Sequence, residues 1–305
     1  MRSLRVRLEP YGFLAPALVS MAVLSLLPIL YSVFIAFTNY DLYHFSTYTF
    51  VGVQNFVAIL TGPYATVFLP TLLWTFIFSA GTTALNFAAG MGLALLLNQQ
   101  QLRLSGFFRS ILIIPWALPS TITVLIWAGL MNQSFGPIDA VLTHLGLPAV
   151  PWLVDPVWSK VAILLVNLWL GYPFFMISLL GGLQSVSGDL LEAAALDSAG
   201  PWARFRHITF PLLWRFSLPL LMGTFAFNFN NFGVVYLLTG GGPPRLTTSF
   251  AGSTDVLSTV IYNMTLTYYR YDIAAAFGII LFIILAVLTL AQYRWLGGLG
   301  QIDAV

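Results

Sequence analysis

"EAAALDSAGPWARFRHITFP", residues 192–211, carries two acids, two arginines and a histidine between stretches that are almost purely apolar. The chain around it has 305 residues, 59% hydrophobic and 7% charged, where soluble domains carry about 25% charged residues. So little charge cannot cover a water-facing surface, and the composition is that of an integral membrane protein. A net charge of +2, scattered along the chain, gives no footprint for nucleic acid. The absence of cysteine excludes disulfides, thiolate metal sites and thiol catalysis. His44, His144 and His207 lie far apart and show no metal-ligand spacing.

Outward from the island, six segments are long and apolar enough to span a bilayer, which takes about 20 residues. They run over roughly 13–38, 68–97, 107–131, 161–183, 213–238 and 272–293. The first follows the basic "MRSLRVRLEPYG" and exceeds the apolar core of a secretory signal, about 7–15 residues. It reads as a retained first transmembrane helix. An even number of spans puts both termini on one side. Arg2, Arg5, Arg7, Arg103, Arg109, Arg204, Arg206, Arg215 and Arg294 fall on the terminal side, against Lys160, Arg245 and Arg270 on the other. That bias places both termini, and the island, in the cytoplasm. The expectation is an all-α membrane protein with one transmembrane domain over 1–305. Pro115, Pro119 and Pro173 should kink their spans. Ala80, Ala84, Ala88 and Gly92 recur every fourth residue and would let another helix approach closely.

No span carries a carboxylate or histidine at its centre, as proton-coupled pumps usually do. The phosphate-binding G-x-x-x-x-G-K-[ST] loop is absent. No nucleophile–base pair lies within a span, so the chain reads as no enzyme, and it binds no cofactor of its own. Uphill transport would need a separate subunit to supply energy.

Within the island, "SGDLLEAAALDSA" favours a helix with acids near its start. "GP" at 200–201 breaks it, and "WARFRHITF" resumes until Pro211 leads into the fifth span. The expectation for 187–211 is a helix, a turn and a second short helix across the cytoplasmic face. Such an element is either an interfacial linker or a docking element for a partner's groove.

The fifth span, "SLPLLMGTFAFNFNNFGVVYLL", has Asn228, Asn230 and Asn231 near its middle. An unpaired amide in hydrocarbon costs roughly 2–7 kcal/mol, so these face protein or a cavity. At helical spacing Thr224, Phe227, Asn228 and Asn231 share one face, and Asn230 points elsewhere. These amides either bond neighbouring helices or form a passage for a neutral polyol or sugar.

The island resembles the EAA loop of the membrane subunits of binding-protein-dependent ABC importers: E-A-A, three residues, G, nine residues, I-x-L-P. Glu192, Ala193, Ala194, Ile208 and Pro211 match; Ser198 stands for the glycine and Phe210 for the leucine, with Gly200 able to supply the bend. "FVGVQNF" (50–56) and "LIIPWALPSTIT" (112–123) also look like family segments. "LGYPFFM", "TFAFNFNNFGVVYLLTGGGPP" and "AGSTDVLSTVIY" resemble the MalF-type maltose/maltodextrin permeases. The resemblance implies the type I importer permease fold with six transmembrane helices in the inner membrane. It also implies coupling to an ATPase subunit through Glu192, Ala193, Ala194, Asp197, Ser198, Gly200, Ile208 and Pro211. By motif position it places sugar contacts at Gly171, Phe174, Thr224, Phe227, Asn228 and Asn231. Phe174 stands where the relatives have Tyr, and Thr224 where they have Ser, while Leu170 and Tyr172 are wall or packing residues.

The function implied is the permease subunit of an ATP-driven importer of maltodextrin or a related saccharide. ATP is used by two partner ATPase subunits, beside a second permease and an extracytoplasmic sugar-binding protein. The large inserted outer domain of some relatives is expected to be missing. The alternatives are an importer permease for another neutral or glycerol-phosphate-type solute, and a stand-alone secondary carrier.

Overall fold

The computed structural model describes residues 13–99, 102–196, 200–245, 248 and 250–302. In chain order its helices are α1 (Phe13–Ile35), α2 (Gln54–Leu60), α3 (Ala65–Leu97), α4 (Ser105–Ala117), α5 (Ser120–Leu130) and α6 (Pro137–His144). They continue with α7 (Pro156–Gln184), α8 (Gly188–Leu196), α9 (Pro201–Phe229), α10 (Gly233–Thr239), α11 (Leu257–Leu266) and α12 (Tyr271–Ile302). Five are long and apolar enough to cross a membrane, and α4 with α5 is as apolar and long when taken together, though the two meet at a bend of 92°, as in a broken span or a re-entrant loop. The bend falls at Leu118, whose backbone is extended (ψ 143°) ahead of Pro119, as the residue before a proline prefers. Pro173 is carried inside α7, which runs on through it.

Two π-helical turns share one context. In Ala22–Leu26 the Leu27 N–H reaches Ala22 O, and in Phe205–Thr209 the Phe210 N–H reaches Phe205 O. Each turn ends two residues before a proline, Pro28 or Pro211. A proline ring crowds the carbonyl four residues back and brings no N–H; the wider turn makes room for it. The island therefore differs from expectation after Gly200. No second short helix lies across the face, because Pro201–Phe229 is one helix that absorbs Pro211 through its π turn. The fifth span also stops earlier than 238. Its helix ends at Phe229, residues 230–232 break the chain, and α10 follows.

The chain forms two compact units. One comprises 13–68 and 260–284. In it Gly52 adopts φ +62° and turns Asn55 inward, where its Nδ2 donates to Ala36 O (2.9 Å) and Thr38 O (2.7 Å). The G-x-x-N-F segment thus ties down the end of α1. Beside it Asp41 accepts from the His44 ring (2.8 Å) and from the backbone N–H groups of Tyr43 and His44. Arg270 pairs with Asp272 at 2.9 Å and donates to the Tyr64 hydroxyl. The other unit comprises 69–259 and 285–302. Its α7 starts at Asp155, whose carboxylate caps the Val157 and Trp158 N–H groups ahead of Pro156 at the first turn.

In this second unit α3 buries Thr71, Thr75, Ser79, Thr82, Thr83 and Asn86. Its exposed side carries Ala80, Ala84, Ala88 and Gly92. The small-residue stripe accordingly faces away from the described chain, and hydroxyls fill the inner face instead. Hydrocarbon tolerates alanine but not an unmet hydroxyl, so the polar side turns in. Close approach to α7 comes from other glycines: a Cβ on Gly90 would sit 2.5 Å from the Phe175 Cβ, and one on Gly171 would overlap the Asn86 amide. Two apolar clusters result. One gathers Trp74, Phe78, Val124, Ile163 and Val235; the other gathers Met91, Phe175, Met176, Leu179 and Leu213.

Burial alone would raise the Asp41 carboxyl, but the His44 ring and the His44 and Tyr43 amides outweigh it and hold the group below the usual carboxylate range. A depressed carboxyl stabilises the fold above its unfolded pKa and loses that contribution as pH falls through its folded one. Asp41→Asn should lower Tm by a few degrees at neutral pH and show a shallower loss of Tm toward pH of about 3 than the parent protein. Thermal unfolding in detergent across that range measures it, and identical acid slopes would contradict the Asp41–His44 account.

Candidate functional site

A cavity of about 1010 Å³ opens in the second unit, with walls from α3, the α4–α5 bend, α7, α9 and the break before α10. No charged side chain and no histidine lines it. Gly171, Phe174, Thr224, Phe227, Asn228 and Asn231 all do. The six positions named from sequence therefore meet around one space, although Asn228 sits at the end of its helix and Asn231 beyond it. Leu170 lines the space as well. Tyr172 does not, and its hydroxyl donates to Leu112 O at 3.0 Å.

The amides play different parts. Asn228 is 3% exposed, and its Nδ2 donates to the Thr83 hydroxyl of α3 at 3.4 Å. Asn231 Oδ1 accepts from Val234 N at 3.4 Å and helps start α10. Asn230, expected to point elsewhere, also borders the cavity, because the helix has already ended and the spacing of 3.6 no longer applies. Phe227 is 72% exposed and offers a flat apolar face. Trp116 and Phe174 also line the cavity, with ring centroids 6.4 Å apart in a tilted contact. Trp116 stands at the α4–α5 bend, where irregular backbone at membrane depth is tolerable because it borders a cavity.

Sequence reasoning missed Asn86, Asn167 and Trp116 as wall residues. Asn86 and Asn167 each stand as a lone amide in an apolar run, "TTALNFAAG" and "LLVNLWLGY". That isolation was the available signal.

The same unit holds the island. Glu192 and Ala193 are exposed on α8, and Ala194 is half-buried. Leu190 and Leu196 are 52% and 88% exposed on the same short helix. Asp197 and Ser198 lie outside the described residues. Gly200 is extended (φ −66°, ψ 165°) and leads into Pro201. Ile208 lies in the π turn, half-buried, and Pro211 follows it. From Pro201 to Asn228 the chain is one helix, about 40 Å long at 1.5 Å per residue. The island's basic residues, Arg204, Arg206 and His207, and the amide of Asn228 thus lie toward the two ends of one rod, while Glu192 stands on the separate α8. Among the described residues no cluster of His, Asp and Glu could hold a metal.

Residues 86–298 match the pattern of the binding-protein-dependent transport system inner membrane component family. The chain belongs to this family. As a family member it is a membrane permease component rather than an enzyme. It is 40% identical over 290 residues to the galactooligosaccharides transport system permease protein GanP of Bacillus subtilis (strain 168), covering 93% of this chain and 69% of that one. It is 36% identical over 304 residues to the maltodextrin transport system permease protein MdxF of the same organism, covering 96% and 70%. With the maltose/maltodextrin permease MalF of Escherichia coli (strain K12) it shares 40% over 248 residues, 80% of this chain and 48% of the other. A solved bacterial ABC transporter that imports the acidic polysaccharide alginate has a chain that superposes with TM-score 0.80 at 23% identity, over 97% of both chains. The MetNI methionine transporter superposes at 0.56 with 16% identity, over 78% of this chain and 98% of that one. These two likenesses establish the fold.

The permease contains no cysteine, so introduced thiols report cleanly on the cavity. Phe227→Cys should react readily with a membrane-impermeant maleimide, while Phe229→Cys, at a position that is 0% exposed, should react at least tenfold more slowly, on the order of the accessibility contrast between surface and core thiols. Equal labelling rates in membranes would contradict this wall of the cavity.

Proposed function

We propose that this permease is one membrane subunit of an ATP-driven importer of neutral saccharides of the maltodextrin or galactooligosaccharide kind, and that its cavity is the sugar's passage site. The observation that carries the reading is a large, uncharged cavity ringed by amides and aromatic faces, joined by one continuous helix to an exposed charged island. Amides offer both donors and acceptors to hydroxyls. Aromatic faces suit the apolar side of a sugar ring. The names of the relatives, a galactooligosaccharide and two maltodextrin permeases, support a saccharide cargo.

Phe227 and Phe174 would stack on the sugar. Asn228 and Asn231 would bond its hydroxyls, with Thr224 beside them and Gly171 leaving room. Glu192, Ala193 and Ala194 would dock in a cleft of an ATPase subunit, with Gly200, Ile208 and Pro211 shaping the joint to α9. The complex would hold a second permease subunit, two ATPases and an extracytoplasmic binding protein, with both termini of this chain in the cytoplasm. Closure of the ATPases on ATP would push α8, and α9 would carry that displacement to the cavity, exchanging inward for outward access. ATP supplies the energy at the partner subunits; this chain's residues bind, orient and transmit.

Two substitutions separate passage from coupling. In proteoliposomes containing the whole complex, Asn228→Leu should cut maltotriose or galactotriose uptake by an order of magnitude or more, through loss of hydrogen bonds to a bound hydroxyl. Uptake at the parental rate would overturn the site. Glu192→Ala should leave membrane insertion intact while abolishing most sugar-stimulated ATP hydrolysis and uptake. Full transport by that variant, or accumulation by the purified chain without an ATPase partner, would overturn the coupling role.

A further inference from the structure

Gly171 entered the sugar site through its motif, yet it has no side chain with which to hold a sugar. The structure gives it another task. A Cβ there would collide with the Nδ2, Cγ and Oδ1 atoms of Asn86 on α3. Asn86 is 1% exposed and lines the cavity. Its Oδ1 accepts no hydrogen bond. One helical turn before Gly171 on α7, Asn167 also lines the cavity, and its Nδ2 donates none.

An asparagine that merely fastens helices together meets its amide with a neighbour. Asn55 does so with two backbone carbonyls. Asn86 Oδ1 is left unmet at the back of a cavity, and buried polar groups are rarely left so. The two unmet atoms are complementary in kind, one acceptor and one donor. A single hydroxyl seated between the two amides would satisfy both, its O–H donating to Oδ1 and its oxygen accepting from Nδ2. A water molecule has the same chemistry and can hold the place in the resting protein.

We infer that Asn86 is a sugar-reading residue, taking one hydroxyl of a neutral saccharide between its Oδ1 and Asn167 Nδ2, and that Gly171 acts by seating the Asn86 amide. The inference rests on the saccharide-importer reading. It assigns a specificity role to α3, a helix from which the motifs drew no site residue.

The test uses the assembled complex in proteoliposomes, with maltotriose and galactotriose as probes. Asn86→Ala should raise the uptake KM roughly tenfold, the loss of one hydrogen bond to a bound hydroxyl, with a smaller change in maximal rate. Asn86→Ser, which restores an acceptor, should recover part of that loss. Gly171→Ala should impair assembly, and adding Asn86→Ala should restore assembly but not KM. Asn86→Cys gives an independent readout: saturating sugar should slow its modification by a small thiol reagent. Parental KM in Asn86→Ala, or modification of Asn86→Cys at one rate with and without sugar, would overturn the inference. If Asn228→Leu still blocks uptake in that case, the saccharide reading stands and only the role of Asn86 falls. If the parental complex moves neither sugar, both fall together.

Discussion

A hydroxyl or amide carried into hydrocarbon must be met by another polar group of the protein, and most of this structure follows from that demand. In a bilayer there is no hydrophobic drive between helices, because lipid tails are as apolar as leucine. What orders the helices is which polar atoms must be hidden and which small residues allow backbones to approach. The inner face of α3 carries Thr71, Thr75, Ser79, Thr82, Thr83 and Asn86, all buried, and of these the Thr71 and Thr82 hydroxyls and Asn86 Oδ1 meet no partner among the described residues. Thr75 meets the Leu257 N–H that starts α11, and the neighbouring Trp74 ring donates to Thr254 O. Those bonds fix the end of the loop before α11 against α3. That loop closes on itself through Asp255, which accepts from Thr259 and Gly252 and lies against Gly241, at φ +85°, where a Cβ would collide with the carboxylate. Burial pushes the Asp255 carboxyl up, partly offset by the Thr259 hydroxyl, the Gly252 amide and the Arg245 charge.

The same demand explains where the helices break. Leu118–Pro119 and residues 230–232 leave backbone groups without helical partners at membrane depth. Both breaks border the cavity. Irregular backbone is affordable there and nowhere along a lipid-facing surface. The breaks, in turn, bring Trp116, Asn230 and Asn231 to a space that unbroken helices would have closed. The prolines at 28 and 211 are handled in the opposite way, by π turns that keep the helix whole. In α9 that continuity keeps Pro201–Phe229 a single hydrogen-bonded helix through Pro211, as the proposed transmission from the island requires.

Much of this was legible in the sequence, and the parts that were not have physical causes. Charge poverty and run length give the membrane class and, for every span but the fifth, bounds near those observed, because the bilayer sets a fixed length; the fifth runs over Pro201–Phe229 rather than 213–238. The six cavity positions came from motif resemblance, and they do converge. The break at 230–232 was hidden, since "FNFNNFGVV" contains no proline and its one glycine falls after the turn. A continuous helix was the natural expectation, and it misplaced Asn230. The second helix of the island was also misjudged, because Gly200–Pro201 and Pro211 both look like stops. Pro201 is in fact a first-turn residue, where a missing N–H costs nothing. The stripe at Ala80, Ala84, Ala88 and Gly92 was read for its small size alone, without asking that the competing hydroxyl face be buried first.

Charge decides the last step of the synthesis. A cavity without Asp, Glu, Lys, Arg or His cannot draw on a proton gradient by titration, and it gives a charged cargo no side-chain counter-ion in this chain. It can discriminate by hydrogen-bond pattern and by shape, which suits a polyhydroxylated neutral molecule. A passage of that kind has no driving force of its own, so direction must be imposed through movement. The island lies at the far end of α9 and is a charged, exposed element continuous with a cavity wall, as are Arg109 on α4 and Arg294 on α12. The sparing use of charge around the cavity and its concentration in the island fit the proposed division of labour, in which recognition is neutral and the energy would enter along α9 from a partner subunit.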